Sequence, residues 1–141
     1  MTSPSRTDVE AELQELLRER SFQADVATRF GASQRLIVYG SLVPGGSNHS
    51  MLAGLAGEWT QGWITGTLVH AGWGDALGYP ALRWDPRGER VSAHLLDSSE
   101  LPSAWPRLDE FEGAEYRRVL IPFFVNEHDW VIGQVYADHV G

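Results

Sequence analysis

The sequence predicts a domain of the α+β class, a small curved sheet or barrel with flanking helices. Segments with strand character outnumber helical ones, and the longest helical insert lies between the fourth and fifth strand segments. Fifteen glycines and six tryptophans among 141 residues are typical of a turn-rich, strand-rich fold with aromatic packing. A hydrophobic fraction of 43% is enough for one compact domain with a sizeable core.

Residues 1–34 differ from the rest and predict an N-terminal helical extension to a domain at 35–141. Thr7 and Glu10 have the spacing of a capping box at the start of a helix. The stripe of apolar residues on that helix is Val9, Leu13, Leu16 and Leu17. The segment SFQADVATRF predicts a second short helix. We expect this arm to cover the core or to pack on a partner subunit, which leaves a homodimer open.

From Arg35 onward the pattern is that of strands separated by turns. The six predicted strands lie at 36–39, 58–72, 79–84, 89–96, 116–126 and 130–138. A helix is predicted between the fourth and fifth of these strands, in SSELPSAWPRLDEFEG, with Gly113 at its end. Within the second strand, Trp59, Trp63 and Leu68 are candidate core residues.

Composition excludes several classes of function. The net charge of −8 argues against a nucleic-acid partner, because binding to phosphates requires a positive face. The absence of cysteine excludes disulfides, thiolate catalysis and cysteine zinc sites, and the absence of lysine excludes a Schiff base. We expect neither a membrane span nor a signal peptide, since no window is apolar enough and the N-terminus is polar and acidic. A cytoplasmic location is the expectation.

The common catalytic motifs are missing. The five histidines show no spacing typical of metal ligands, so no metal site is expected. Ser41 follows a glycine but lacks the second glycine of a nucleophile elbow. The PGGSNH segment lacks the Gly-Lys-Ser/Thr ending of a phosphate loop. It does follow a buried strand, and such glycine-rich loops can present backbone N–H groups to a ligand.

An acidic segment, LDEFEGAEYRR, is the strongest candidate for chemistry. Its carboxylates are Asp109, Glu110, Glu112 and Glu115. On a helix, Leu108, Phe111 and Glu112 share one face, which would turn Glu112 toward the packed side. A carboxylate placed there is a candidate for a raised pKa and for work as a general base. The alternative is an exposed acidic helix end without function.

Two separated motifs resemble signatures of the γ-glutamylcyclotransferase-like superfamily, which includes γ-glutamylamine cyclotransferases and avirulence-induced-gene-like proteins. VYGSLVPGGSNHSML resembles the first signature: Tyr-Gly-Ser-Leu, a glycine-containing loop and a later leucine. LDEFEGAEYRR resembles the second: Leu-Asp, then Glu-Gly, then a tyrosine and an arginine. The resemblance continues in order from about Leu36 to Ala137, where GQVYA is similar to the last strand of the family.

The resemblance implies a small mixed β-barrel with helices outside it, and a cavity where the glycine loop meets the acidic helix. It implies a cofactor-independent acyltransferase or lyase that cyclises a γ-glutamyl amine or γ-glutamyl amino acid to 5-oxoproline and releases the amine. The matching acid/base is Glu112. The positions that match the ligand-binding loop are Tyr39, Gly40, Ser41 and Leu42, and Tyr79 and Tyr116 are further candidates for substrate binding. The implied partner is a small molecule.

Some features depart from the family pattern. The gap between Gly113 and Tyr116 is short, and it places Glu115 as a second carboxylate close to Glu112. ERVSAHLLD has Ser-Ala-His where many members carry Gly-Glu-Leu, which leaves the preferred leaving amine open. The alternative function is a non-catalytic module on the same fold, which binds a small carboxylate or a protein partner.

Overall fold

The computed structural model describes residues 5–19, 24–40, 43–46, 49–69, 81–113 and 116–138. The helices are α1 (Arg6–Arg18), α2 (Ala24–Arg29) and α3 (Leu101–Glu112). The strands are β1 (Arg35–Val38), β2 (Glu58–Val69), β3 (Ala81–Trp84), β4 (Glu89–Asp97), β5 (Tyr116–Phe124) and β6 (Trp130–Asp138). Two 3₁₀ turns, Ala32–Gln34 and His49–Met51, precede and follow β1. Among these helices none is long and apolar enough to cross a lipid bilayer.

Five of the strands close into a barrel. The sheet order is β3-β2-β4-β1-β6-β5, and a further pairing of Trp63 in β2 with Phe124 in β5 closes it. β1 and β6 are parallel and the other pairings are antiparallel, so the barrel is mixed, while β3 extends the sheet beyond β2. Gly62 permits the closure, because a Cβ there would stand 2.1 Å from the carbonyl oxygen of Phe124. The predicted α+β barrel with flanking helices is confirmed.

The two faces of the sheet pack into two hydrophobic clusters. Side chains alternate along a strand, so Ile37 faces one side with its register partners Leu95 and Val135. These three belong to a cluster to which all six strands contribute. Leu36 and Val38 face the other side, where α3 covers them.

Helix α3 packs along its apolar stripe on the outer face of β1, β4 and β6. Its buried residues follow the i, i+3, i+4, i+7 spacing of an amphipathic helix, and they are Leu101, Ala104, Trp105 and Leu108. The indole Nε1 of Trp105 donates to the carbonyl of Ser33 (2.9 Å), which fixes the helix to the turn before β1.

The N-terminal helices also pack on the barrel. Val9 and Leu13 of α1 are only 2% exposed and belong to the cluster to which all the strands contribute. The predicted cap is wrong: Ser5, and not Thr7, caps α1, since its Oγ accepts a hydrogen bond from the backbone N–H of Asp8 (3.1 Å). Ser5 and Asp8 have the same spacing as Thr7 and Glu10, so the sequence did not separate the two caps. The domain boundary at residue 34 stays a prediction.

The prediction for the core of β2 is partly wrong. Leu68 is 40% exposed, because it lies past the pairing with β4 and pairs with the edge strand β3. Trp63 is partly buried on the outer face, where it stacks on Phe124 with ring centroids 5.8 Å apart. Trp59 is partly buried against the α3 cluster, and Ile64, at 0% exposure, is the core residue of this strand.

Candidate active site

The first wall of the candidate site is the segment that follows β1. Tyr39 anchors its start, since its phenol donates to the carbonyl of Tyr136 in β6 (2.9 Å) and accepts from the N–H of Leu82 in β3 (2.8 Å). Residues 43–46 and 49–55 then fold back over the outer face of the barrel. There the ring of His49 contacts that of Trp59 at 5.4 Å between centroids.

The second wall is α3, and two hydrogen bonds join it to the first. The Arg107 guanidinium donates to the carbonyl of Met51 (2.8 Å), and the Glu100 carboxylate accepts from the N–H of Ala56 (2.6 Å). Residues on both walls pack on the same cluster, including Leu52 from the first and Leu108 from the second. Through this cluster, the two walls and β1 pack together as one unit.

The floor between the walls is Gly40, since Val38, the last residue of β1, is buried under α3. Gly40 follows Val38 by two residues, and no atom in the described residues lies within 4 Å of the position that a Cβ on Gly40 would take. The same holds at Gly113, the residue after α3. Among the described residues, both glycines therefore have free space beside them, Gly40 on the floor and Gly113 after the second wall. We call the surface around Gly40, Gly113 and Glu112 the candidate site.

The position of Glu112 follows from helix periodicity. It lies four residues after Leu108, which is fully buried, so the stripe that packs α3 on the barrel carries Glu112 toward the protein. Gly113, with φ 80° and ψ −179°, then ends the helix in a conformation that favours glycine. Burial raises the pKa of the Glu112 carboxyl from about 4.5 to about 7. The neighbouring Glu110 is exposed.

A hydrogen-bond network lies beside Glu112. The phenol of Tyr136 donates to Asp109 (2.6 Å), and the Asp109 carboxylate forms an ion pair with Arg118 (3.4 Å). The pKa of Tyr136 is raised well above its ordinary value, chiefly by burial and also by the hydrogen bond to Asp109. The nearby charges of Asp109 and Glu112 raise this pKa further, and the charge of Arg118 lowers it. Tyr136 is thus a neutral hydrogen-bond donor, and the charge of Glu112 is one of the causes that raise its pKa.

The predicted site residues are only partly within the described residues. Gly40 and Glu112 lie at the candidate site, the ring of Tyr39 packs on the cluster that contains Ile37, and Tyr116, the first residue of β5, packs against the α3 cluster. The predicted residues that lie outside the described part of the chain are Ser41, Leu42, Tyr79 and Glu115.

The sequence did not predict that Tyr136, Asp109 and Arg118 form one network. The GQVYA motif identified the last strand but not the direction of its tyrosine. The register contains the missing signal: Arg118 pairs with Tyr136, so both point to the α3 side. In the part of the chain that the structure describes, no three acidic or histidine side chains group as metal ligands do.

The comparison with protein families decides the assignment. Residues 36–139 match the model of a family described as gamma-glutamyl cyclotransferase, AIG2-like. The chain belongs to this family. The match covers both motifs and all six strands, and it begins one residue after the start of β1. A search of curated proteins returned no match.

Solved structures of similar fold support the gamma-glutamyl cyclotransferase family. An AIG2-like protein from Mus musculus is 28% identical over 74% of this chain and 76% of its own, with a TM-score of 0.56. YkqA from Bacillus subtilis is 24% identical with a TM-score of 0.57, and this chain spans only 35% of its length. An uncharacterised protein from Pyrococcus horikoshii is 19% identical over 74% of this chain and 77% of its own, with a TM-score of 0.52. These last two show similarity of fold.

Proposed function

We propose that this chain is a cofactor-independent cyclotransferase that converts a γ-glutamyl amine or γ-glutamyl amino acid to 5-oxoproline and a free amine. Family membership supports cyclotransferase chemistry in general. The observation that supports the specific mechanism is Glu112, a partly buried carboxyl with a pKa of about 7 beside open space at Gly113. A general acid/base works best when its pKa is close to the working pH.

The reaction needs one group that moves protons. The α-amine of the glutamyl group attacks the γ-carbonyl carbon, and the Glu112 carboxylate takes the proton that the nitrogen loses. The tetrahedral intermediate then collapses, the bond from carbon to the leaving nitrogen breaks, and Glu112 returns the proton to that nitrogen. General acid/base catalysis of this kind contributes typically ~10²–10⁴-fold.

Nucleophile and electrophile belong to the same substrate molecule, so the reaction requires no covalent enzyme group. The protein has to hold the substrate in a folded, ring-forming pose, and proximity of this kind can contribute several kcal/mol, up to about 7–11. The fixed walls of the candidate site suit this task, because Tyr39 and Arg107 hold the loop by hydrogen bonds at both of its ends.

The glutamyl head is assigned to the loop Tyr39–Leu42. Backbone N–H groups of Gly40, Ser41 and Leu42 would meet the α-carboxylate and the developing oxyanion, for which such donors are well suited. The absence of a side chain on Gly40 lets a ligand approach the backbone. Tyr79 and Tyr116 are assigned to the walls that contact the rest of the substrate. The homodimer and the cytoplasmic location stay predictions.

The test is a release assay on the purified full chain. A panel of γ-glutamyl compounds is incubated with wild type, with Glu112→Gln and with Glu110→Gln, and 5-oxoproline is quantified by mass spectrometry. We expect Glu112→Gln to lose at least about 100-fold in rate, since an amide cannot accept the proton. Glu110→Gln is the matched control, because it makes the same change two residues away on the exposed side of α3.

Each outcome has a defined meaning. Turnover by wild type and Glu110→Gln, but not by Glu112→Gln, supports both the reaction and the base. Equal turnover by all three contradicts the role of Glu112. No 5-oxoproline from any compound, with ligand binding retained in calorimetry, would favour the non-catalytic binding module.

A further inference from the structure

Both carboxylate oxygens of Asp109 have a donor beside them. Oδ1 accepts the hydrogen bond from the Tyr136 phenol (2.6 Å), and Oδ2 forms the ion pair with Arg118 (3.4 Å). The guanidinium of Arg118 also lies over the ring of Trp105, 4.4 Å from its centroid, and the Arg118 side chain is only 17% exposed. Trp105 and Asp109 are four residues apart on one face of α3, so the helix holds the guanidinium at two points.

This ion pair lies one helical turn from Glu112. Asp109 and Glu112 are three residues apart on α3, a spacing that brings their Cβ atoms within about 5–6 Å of each other. Tyr136 lies near all three groups, because the charges of Asp109, Glu112 and Arg118 each act on its pKa. The charged and titratable groups on the described elements that pack around this part of α3 are Arg107 and Asp109 on the helix, Tyr116 and Arg118 on β5, Tyr136 on β6 and His49 on the segment after β1.

The charge of Asp109, if it were not paired, would disfavour ionisation of Glu112. A like charge at this distance raises the pKa of a carboxyl, and an opposite charge lowers it. Burial already brings the pKa of Glu112 to about 7, so a further increase would leave the carboxyl protonated and unable to accept a proton at neutral pH. Because Asp109 and Arg118 have opposite charges and are in contact, their fields at Glu112 oppose each other.

We propose that Arg118 is a positioning residue for the acid/base: it neutralises Asp109, and so keeps Glu112 able to exchange protons at neutral pH. The inference deepens the proposed function and rests on it, since Glu112 is the acid/base of that reaction. Arg118 acts through Asp109 and does not have to touch the substrate. The alternative is a purely structural clamp between α3 and β5, for which the same contacts would serve. Only the electrostatic role depends on the sign of the charges.

The test measures the titration of Glu112 by carbon NMR on full-length protein labelled at the glutamate carboxyl groups, with Glu112→Gln to assign the signal. Arg118→Gln should raise the pKa of Glu112 by about 0.5–1 pH unit, the effect of one uncompensated, partly solvated charge at this distance. Asp109→Asn should lower this pKa by a similar amount, because the charge of Arg118 is then uncompensated. The double variant Arg118→Gln/Asp109→Asn should return close to the wild-type value.

Two further variants separate charge from structure. Arg118→Lys keeps the positive charge but loses the planar guanidinium, so it should preserve the pKa of Glu112 even where it lowers the melting temperature. Arg117→Gln is the matched control, because it removes the same charge one residue away on the opposite face of β5. There the Arg117 guanidinium donates to the carbonyl of Leu17 in α1 (3.1 Å), and its loss should leave the titration of Glu112 unchanged.

A structural clamp gives a different pattern of results. The inference is overturned if Arg118→Gln and Asp109→Asn shift the pKa of Glu112 in the same direction, or if neither shifts it. Should Arg118→Gln fail to fold, the downward shift in Asp109→Asn and its absence in Arg118→Lys decide the question. In the release assay, the pH midpoint of kcat/KM should move with the pKa in each variant. If no compound of the panel yields 5-oxoproline, the proposed function fails, whereas the NMR titration still decides whether Arg118 controls Glu112.

Discussion

Replacing Glu112 by glutamine should stabilise the protein at alkaline pH and leave it nearly unchanged at acidic pH. Burial raises the pKa of this carboxyl from about 4.5 to about 7, so the folded protein holds a proton there that the unfolded chain has lost. Between these two values the folded state binds more protons than the unfolded state, and the free energy of unfolding of wild type falls as pH rises. At about 1.36 kcal/mol for each unit of pKa, the full effect is about 3 kcal/mol.

The assay is urea denaturation followed by tryptophan fluorescence at pH 5 and at pH 8. Glutamine does not titrate, so the stability of Glu112→Gln relative to wild type should increase by about 2–3 kcal/mol between these two conditions. Glu110→Gln, on the exposed side of α3, should show no such change. An equal difference at both pH values would refute the reasoning, because it would mean that the folded protein does not disfavour the charged form of Glu112.

Three further predictions concern the pH profile, the floor of the site and the N-terminal helices. The wild-type kcat/KM should rise with pH through an apparent pKa near 7 as Glu112 ionises, and a profile that is flat from pH 5 to 8 would contradict this. Gly40→Ala should raise KM and change the unfolding free energy by less than about 0.5 kcal/mol, whereas Gly62→Ala should prevent closure of the barrel and the recovery of folded protein. Leu13→Ala should cost about 2–4 kcal/mol in urea denaturation, since Leu13 is 2% exposed in the core, and an unchanged midpoint would place α1 outside the cooperative unit.

The barrel and its order of elements were predictable because the pattern of apolar residues and turns fixes them locally. Each predicted strand segment coincides with a strand, with ends that differ by one or two residues where the structure describes them. The exposure of Leu68 was not predictable, because it depends on where the pairing with β4 stops. Alternation along β2 also does not reveal which face of the strand is the interior of a closed barrel and which lies under a helix.

For the candidate site, helix periodicity was sufficient to orient Glu112. Its spacing from Leu108 turned it toward the protein, and the raised pKa follows from that burial. The network of Tyr136 with Asp109 could not be derived in the same way, because these residues are 27 positions apart and meet only through tertiary packing.

The hydrogen bonds from Arg107 to Met51 and from Ala56 to Glu100 have a consequence for the kinetics of binding. Because they join α3 to the segment after β1, neither wall can swing outward without breaking them. A substrate would therefore bind between walls that are already in place, and little of its binding energy would go into ordering the protein. Association should then follow a single bimolecular step whose observed rate increases linearly with substrate concentration, without the plateau that a slow closing motion imposes.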